Sequence, residues 1–292
     1  MQFAHLAQRL FNRPLAIHPD KAEVIMAALG ERLGITHMAR ASGESIIVQP
    51  LAMDDDDAYD YSRRDSDAGY DKVGPVAVIP VHGTLVQKLG SLRPYSGMTG
   101  YDGIRQAFLT ALDDPSVEAI MLDIDSPGGE VSGCFDLVDT IYEGRGRKPI
   151  WAILSDAAYS AAYAIASAAD RIVVPRTGGV GSIGVICMHM DFSKALTSAG
   201  FQVTFITYGD RKADGHPEIP LSKEALERFQ ADIDTMGELF VNTVARNRNI
   251  AASSMRDTQA VTYLGEQGVA QGLADAVAAP DAAFRALLKE LA

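Results

Sequence analysis

The sequence has little cysteine, a single tryptophan and no long uninterrupted apolar run. Two cysteines among 292 residues are too few for a disulfide framework. Cys134 and Cys187 each stand in apolar surroundings, so we expect buried free thiols in a reducing compartment. No apolar stretch reaches the roughly 18 to 20 residues needed to cross a bilayer, and the first residues lack the pattern of a secretory signal. We therefore expect no export and no contact with a membrane.

Positive charge is also scarce. The 26 lysines and arginines are outnumbered by 38 aspartates and glutamates, which gives a formal net charge of −12. Such a chain repels a phosphate backbone, so we expect no nucleic-acid partner. Apolar side chains make up 47% of the 292 residues, enough to bury the core of one large domain with an appendage.

Composition divides the chain into three parts. Residues 1–52 are predicted to be an N-terminal helical segment, because apolar residues recur at helical spacing over residues 15–34. Residues 53–72 are predicted to be an acidic linker with little to bury, and residues 73–292 the main domain. The consecutive aspartates at 54–57 point alternately to opposite sides of an extended segment, so we expect no metal ion there.

From residue 73 onwards, short apolar runs alternate with helical patterns. Such alternation predicts an α/β domain whose parallel sheet is built from right-handed βαβ crossovers. Ligands of these sheets gather where strands end and helices begin. The predicted strands are residues 76–83, 117–125, 149–155, 171–175 and 201–209, and the predicted helices are residues 101–112, 133–142, 160–169 and 221–246.

Two of these junctions carry residues that suit catalysis. Ser126-Pro127-Gly128-Gly129 follows one strand, and Ser160 stands within a run of alanines that begins a helix. If Ser160 attacks a carbonyl, the backbone N–H groups of Gly129 and Ala161 can hold the developing negative oxygen. The alternative interpretation is an ordinary turn beside a serine that caps a helix or is a buried alcohol.

A nucleophilic serine needs a base. The histidines that follow Ser160, His189 and His216, lie at a strand end and in a polar loop, where surface or capping roles are common. A lysine is the other chemical solution, because removal of water disfavours the ammonium form and yields an amine able to accept the serine proton. Lys212 follows a predicted strand in a glycine-rich turn and is the candidate. Taken alone, a lysine in such a loop is a solvated charge.

The ordered motifs resemble the signal-peptide-peptidase-A family of serine peptidases, which use a Ser/Lys dyad and share a fold with the Clp protease and the crotonases. The resemblance implies a Clp/crotonase-like sheet for the α/β domain. It covers about residues 73–272 and is carried by DSPGGEV (125–131), SDAAYSAAYAIASAADRIVV (155–174), GGVGSIGVI (178–186), GDRKADGHPEIPLSKE (209–224) and GEQGVAQGLAD (265–275).

The resemblance assigns a role to each matching position. Ser160 would be the nucleophile and Lys212 the general base, with Gly129 and Ala161 as oxyanion donors. Ser182 would orient the lysine amine. An extended substrate would add as a strand beside Gly128. The family often has Ser-Gly-Gly where this chain has Ser-Ala-Ala, and an alanine N–H donates as well as that of a glycine. The resemblance implies no metal, nucleotide or organic cofactor.

Within the family, the N-terminal segment and single catalytic domain are similar to the capsid-maturation peptidases of tailed phages. This implies an endopeptidase that cuts scaffold or capsid proteins, and in some cases itself, in the host cytoplasm or the phage prohead. It also implies a homo-oligomer, and the apolar stripe of the helix at 221–246 fits either a core or such an interface. Two alternatives stay open: a crotonase-like acyl-CoA enzyme and a catalytically inert capsid component.

Overall fold

The structure is a computed structural model that describes residues 13–19, 21, 38–39, 45–46 and 68–292. The strands of these residues are β1 (Pro14–Ile17), β2 (Met38–Ala39), β3 (Ser45–Ile46), β4 (Asp71–Val73), β5 (Val76–Val86), β6 (Met98–Gly100), β7 (Ala119–Glu130), β8 (Ile150–Tyr159), β9 (Arg171–Val174), β10 (Gly179–Gly181), β11 (Ile186–Cys187), β12 (Thr262–Leu264) and β13 (Ala276–Val277). Their helices are α1 (Tyr101–Asp113), α2 (Cys134–Glu143), α3 (Ala161–Ser167), α4 (Ser193–Ser198), α5 (Lys223–Arg248), α6 (Ala252–Asp257), α7 (Gly265–Ala270) and α8 (Pro280–Glu290).

The central sheet is parallel. Strand β7 pairs with β5 and β8, and β8 pairs with β9, all in the same direction. Helices α1, α2 and α3 lie between these strands in the chain, as βαβ crossovers require. Antiparallel pairs join β4 to β5, β12 to β10, and β1 to both β7 and β11. The predicted α/β class and its mainly parallel sheet are confirmed.

Both faces of the sheet are buried, because successive side chains of a strand point to opposite sides. On β7, Ile120 and Leu122 belong to the large core that includes Phe108 of α1. Met121, between them, joins a second cluster with Leu287 of α8. The apolar runs without polar alternation follow from this burial on both faces.

The N-terminal helix prediction is wrong at its start. Pro14–Ile17 form strand β1, and Leu15, Ala16 and Ile17 are buried against the sheet. Residues 14–17 pair with β7 and β11 instead of forming a helix. The helical spacing of apolar residues came from later positions of the segment and does not determine the structure of its first residues. Those later positions lie outside the described part of the chain, so the rest of the helix stays a prediction.

The linker prediction does not hold for its last residues. Tyr70 is buried, and Asp71–Val73 pair antiparallel with β5 as β4. The hydroxyl of Tyr70 donates to Asp114 at 2.8 Å. The folded part of the main domain therefore begins before residue 73. Residues 53–67, including the aspartates at 54–57, lie outside the described residues.

The strand predicted at residues 201–209 is absent, although the helix predicted after it is present as α5. Within the described chain no strand pairs with this segment, and Ile206 and Tyr208 are almost fully exposed. A strand needs a neighbouring edge for its backbone groups, and apolar residues alone do not provide one. Helix α5 starts after Ser222, whose side chain accepts from the N–H of Ala225, and buries mainly its C-terminal half.

Candidate active site

Ser160 lies at the junction of β8 and α3 in a conformation that few serines adopt. Its φ is 55° and its ψ is −120°, and the residue is 1% exposed. The N–H donates to the carbonyl of Gly181 at 2.9 Å, and the carbonyl accepts from Ala164, so the main chain is fixed on both sides. Positive φ is unfavourable for a residue with a Cβ, and such strain concentrates at functional sites.

Helix capping does not explain Ser160. The residue occupies the N-cap position of α3, yet its side chain makes no capping hydrogen bond. The hydroxyl instead points at the carbonyl of Gly184, 3.4 Å away. A sharp strand-to-helix turn also presents the nucleophilic serine in α/β-hydrolases. The local geometry thus favours a functional role over the capping interpretation.

Ser126-Pro127-Gly128-Gly129 is part of strand β7 rather than a turn after it. Its register with β5 shifts between His82 and Thr84, as at a β-bulge. The hydroxyl of Ser126 donates to the carbonyl of Gly83 at 2.6 Å and accepts from the N–H of Gly128. These bonds hold the glycine pair in place.

Neither glycine of the pair has space for a side chain. Gly128 has φ of +99°, and a Cβ there would overlap the carbonyl oxygen of Ala16 and stand 3.0 Å from the Cβ of Ser160. A Cβ on Gly129 would overlap the carbonyl of Leu85. The sequence-predicted Gly128 thus lies beside the predicted nucleophile, and Gly129 follows it on β7.

Ala161 is the first residue of α3, so its N–H has no acceptor within the helix. It is fully buried next to Ser160. Cys134, also buried, places its sulfur 3.8 Å from the carbonyl of Ala161. Burial raises the pKa of this thiol to about 12, so Cys134 packs as a neutral side chain. Cys187 is half-buried, and both cysteines are free.

Ser182 follows Gly181, the residue whose carbonyl anchors Ser160. It is buried, has φ of 55°, and donates its N–H to the carbonyl of Val261 at 3.2 Å. The backbone therefore places Ser182 on the element that adjoins the nucleophile.

Lys212 is not joined to Ser160 in this single chain. It lies in a turn, where its N–H donates to the carbonyl of Gly209, and its side chain is exposed. Among the described residues, no hydrogen bond connects Lys212 with Ser160. Lys212 lies in the turns that follow the exposed residues 201–209.

Two of the histidines contact groups other than Ser160. Nδ1 of His216 lies 2.8 Å from a carboxyl oxygen of Glu218, and its ring lies 4.2 Å from that of Phe205. His82, on β5, is 3.0 Å from Asp123. No hydrogen bond between Ser160 and a histidine occurs within the described residues.

An acidic edge flanks the site. Burial, followed by the nearby charge of Asp156, raises the pKa of Asp125, the residue just before Ser126. In the described segments, no group of three or more His, Cys, Asp or Glu side chains is arranged to hold a metal ion.

Sequence reasoning missed the residues that lie against the glycine pair. Ala16 pairs with Gly129 and Ile17 with Gly128, in antiparallel register. One residue indicates a strand here: Pro14 has no backbone N–H to donate within a helix, and proline is tolerated as the first residue of a strand. A pattern search by helical period overlooks a strand of four residues.

Comparison with known proteins gives one family match. Residues 144–292 match the family described as Peptidase family S49. In the described part of the chain, no helix combines the length and apolarity that crossing a bilayer requires.

Individual relatives extend the likeness to the N-terminal part. The chain is 39% identical over 276 residues to the capsid assembly protease C of Escherichia phage lambda, covering 93% of this chain and 62% of that protein. It is 38% identical over 272 residues to the head-tail preconnector protein GP5 of Enterobacteria phage P21, covering 93% and 54%. It is 27% identical over 204 residues to the chloroplastic serine protease SPPA of Arabidopsis thaliana, covering 69% and 30%. The chain therefore spans between half and two thirds of the length of the two phage proteins.

Proposed function

Because the chain belongs to peptidase family S49, we propose that it is a serine endopeptidase whose nucleophile is Ser160 and whose general base is Lys212. The single observation that carries the proposal is the strained, buried Ser160 at the strand-to-helix junction beside the glycine pair. The side chain of Ser160 makes no capping hydrogen bond that would explain this conformation.

The reaction is acyl transfer. Ser160 attacks the carbonyl carbon of an extended peptide and passes its proton to the amine of Lys212. The N–H groups of Gly129 and Ala161 hold the oxyanion, and Ser182 orients the amine. The protonated amine then donates to the leaving nitrogen, and water releases the acyl group. No cofactor takes part in this scheme.

Lys212 needs a partner surface to act in this way, since its side chain is exposed in the single chain. We propose a homo-oligomer in which a neighbouring copy covers the segment around Lys212 and removes water from the amine. The exposed apolar side chains on the same segment and on the first half of α5 support this arrangement. They include Phe201, Ile206, Tyr208 and Leu226.

The substrate we propose is a scaffold or capsid protein cut during phage head assembly, within the prohead in the host cell. The support is the likeness to the lambda capsid assembly protease and the P21 head-tail preconnector protein. We also retain the division into an N-terminal segment, an acidic linker and a peptidase domain, with the domain starting before residue 73.

The direct test is hydrolysis of unfolded casein by the purified chain. Ser160→Ala should lower turnover at least about a thousand-fold, because the nucleophile is lost while the fold stays. The matched control is Ser155→Ala, which removes an exposed serine of β8, the strand before Ser160, bonded to Asp123 at 2.7 Å. Full activity in Ser160→Ala would overturn the proposal, as would failure of a fluorophosphonate probe to label Ser160.

The base is tested separately. Lys212→Ala should be as inactive as Ser160→Ala, whereas Lys223→Ala should keep its activity. Lys223 is a suitable control because it is exposed and pairs only with Glu227 in the described contacts, at 3.6 Å. A Lys212→Ala chain with normal turnover would leave Ser160 with a different base. Co-expression with the candidate scaffold protein, followed by mass spectrometry of new termini, identifies the substrate.

A further inference from the structure

The N-terminal strand β1 occupies the place beside the nucleophile where an extended peptide would bind. It lies between β7 and β11 and runs antiparallel to both. Leu15 pairs with Glu130 on one side and with Ile186 on the other. Strand β1 therefore pairs along both of its edges, as an extended peptide bound between β7 and β11 would.

The hydrogen-bond pattern shows which residue faces the oxyanion donor. His18 donates its N–H to the carbonyl of Pro127 at 2.8 Å, and the carbonyl of Pro14 accepts from Val131 at 3.4 Å. Antiparallel ladders alternate between hydrogen-bonded and non-bonded pairs, so Ala16, midway between Pro14 and His18, forms the next bonded pair with Gly129. The N–H of Gly129, a proposed oxyanion donor, is thus directed at the carbonyl oxygen of Ala16.

The same carbonyl is close to the nucleophile. The position that a Cβ of Gly128 would occupy overlaps the carbonyl oxygen of Ala16 and is 3.0 Å from the Cβ of Ser160. The backbone of Ala16 and the side chain of Ser160 therefore border the same small space. A serine beside a carbonyl that already accepts from an oxyanion donor has the arrangement of an acylation step.

The side chains of β1 are held as firmly as those of a core. Leu15, Ala16 and Ile17 are 5%, 0% and 4% exposed. The ring of His18 lies 4.9 Å from that of Tyr159, the residue before the nucleophile. Such burial of three consecutive residues is typical of a specifically bound segment, and the zero exposure of Ala16 means that the site fits a small side chain there.

We propose that the chain is its own substrate and that Ser160 cleaves the bond between Ala16 and Ile17. This inference rests on the proposed peptidase function. The oxygen of Ser160 bonds to the carbonyl carbon of Ala16, the bond to the nitrogen of Ile17 breaks, and the serine proton reaches that nitrogen through Lys212. One water then hydrolyses the ester, which frees residues 1–16 and regenerates Ser160.

Cleavage would also open the groove. Once residues 1–16 dissociate, the edges of β7 and β11 can pair with another extended chain. The sequence Pro14-Leu15-Ala16 then serves as a first description of substrate preference, with a small residue before the cut. A peptide with the sequence RPLAIH should be hydrolysed after its alanine.

The first experiment follows the mass of the full-length chain after purification. Wild type should lose residues 1–16 and gain an N-terminus at Ile17, while Ser160→Ala keeps its full mass. Ala16→Phe should also stay intact, because the site has no room for a ring, whereas Ala16→Ser should be cleaved. Thermal unfolding of each variant checks that the fold is preserved.

Casein hydrolysis separates this inference from the proposed function. A wild-type chain that cuts casein but keeps residues 1–16, or is cut only elsewhere, overturns the self-cleavage and leaves the peptidase proposal standing. If wild type neither cuts casein nor loses residues 1–16, the Leu15→Asp variant separates the two proposals, because the added charge should expel β1 from between β7 and β11. Casein hydrolysis by that variant alone makes β1 an uncleaved inhibitor and overturns the self-cleavage, and inactivity of both chains overturns both proposals.

Discussion

Gly128 lies so close to Ser160 that a Cβ on the glycine would stand 3.0 Å from the Cβ of the serine. The same Cβ would overlap the carbonyl oxygen of Ala16, and the glycine has φ of +99°. The strand end and the nucleophile are therefore packed without spare volume, and any added atom must displace one of them.

Gly128→Ala should reduce peptidase activity by about a hundred-fold, because displacing the nucleophile by a fraction of an ångström spoils its alignment. Casein hydrolysis measures the effect, and thermal unfolding reports the accompanying loss of stability. The matched control is Gly146→Ala. Gly146 also has positive φ, +79°, but a Cβ there meets nothing within 4 Å. Equal activities of the two variants would show that only backbone strain matters at Gly128.

The sequence allowed the central sheet and the position of Ser160 to be predicted, because short apolar runs and glycine pairs are local signals. Strand β1 and the exposure of residues 201–209 depend on which distant edge is available for pairing. Pro14–Ile17 pair with β7 and β11, whereas residues 201–209 pair with no strand among the described residues. Local periodicity carries no information about either outcome. The contact between Ser160 and Lys212 stays a prediction for the same reason.

Arg145 stabilises the helix that carries the nucleophile. Its guanidinium donates to the carbonyls of Ser167, Ala168 and Ala169 at the end of α3, at 2.9, 2.8 and 2.5 Å, and to that of Asn247 at 3.2 Å. A positive group at this end also suits the helix dipole. Arg145→Lys should lower the free energy of unfolding by about 2 kcal/mol, because an ammonium cannot reach all four carbonyls.

Arg147→Lys is the control for this substitution. Arg147 lies in the same loop, is exposed, and pairs with Asp113 at 2.7 Å. Its replacement should change the free energy of unfolding by less than about 0.5 kcal/mol. Urea unfolding of both variants measures the difference, and equal losses would contradict the role assigned to Arg145.

Asp114 gives the folded chain a dependence on acid pH. Hydrogen bonds from the side chain and the N–H of Ser116, and then from Tyr70, lower the pKa of this carboxyl from 3.8 to about 2. A lowered pKa means that the carboxylate favours folding above pH 3.8, and that this contribution disappears as the pH falls towards 2. Asp114→Asn should therefore be less stable than wild type at neutral pH. The gap between their melting temperatures should close near pH 2, and a gap independent of pH would contradict the assignment.

Assembly and activity should fall together when the exposed segment is changed. Ile206 is 98% exposed and Tyr208 103%, and both precede Lys212 on the same segment. Burying one such side chain against a neighbouring copy contributes about 2 kcal/mol, and the same contact excludes water from the lysine. Tyr208→Asp should therefore shift the chain towards monomers in light scattering and lower casein hydrolysis in proportion.

The control for assembly is Val73→Asp, which places a charge at another exposed apolar position, on β4. It should leave both the particle mass and the turnover unchanged, because β4 pairs with β5 in the sheet, whereas the lysine segment forms no strand of that sheet among the described residues. The test depends on whether particle mass and casein hydrolysis change together. A Tyr208→Asp chain that is monomeric yet fully active would mean that Lys212 reaches Ser160 within one chain, and the role of the oligomer in removing water from the amine would be wrong.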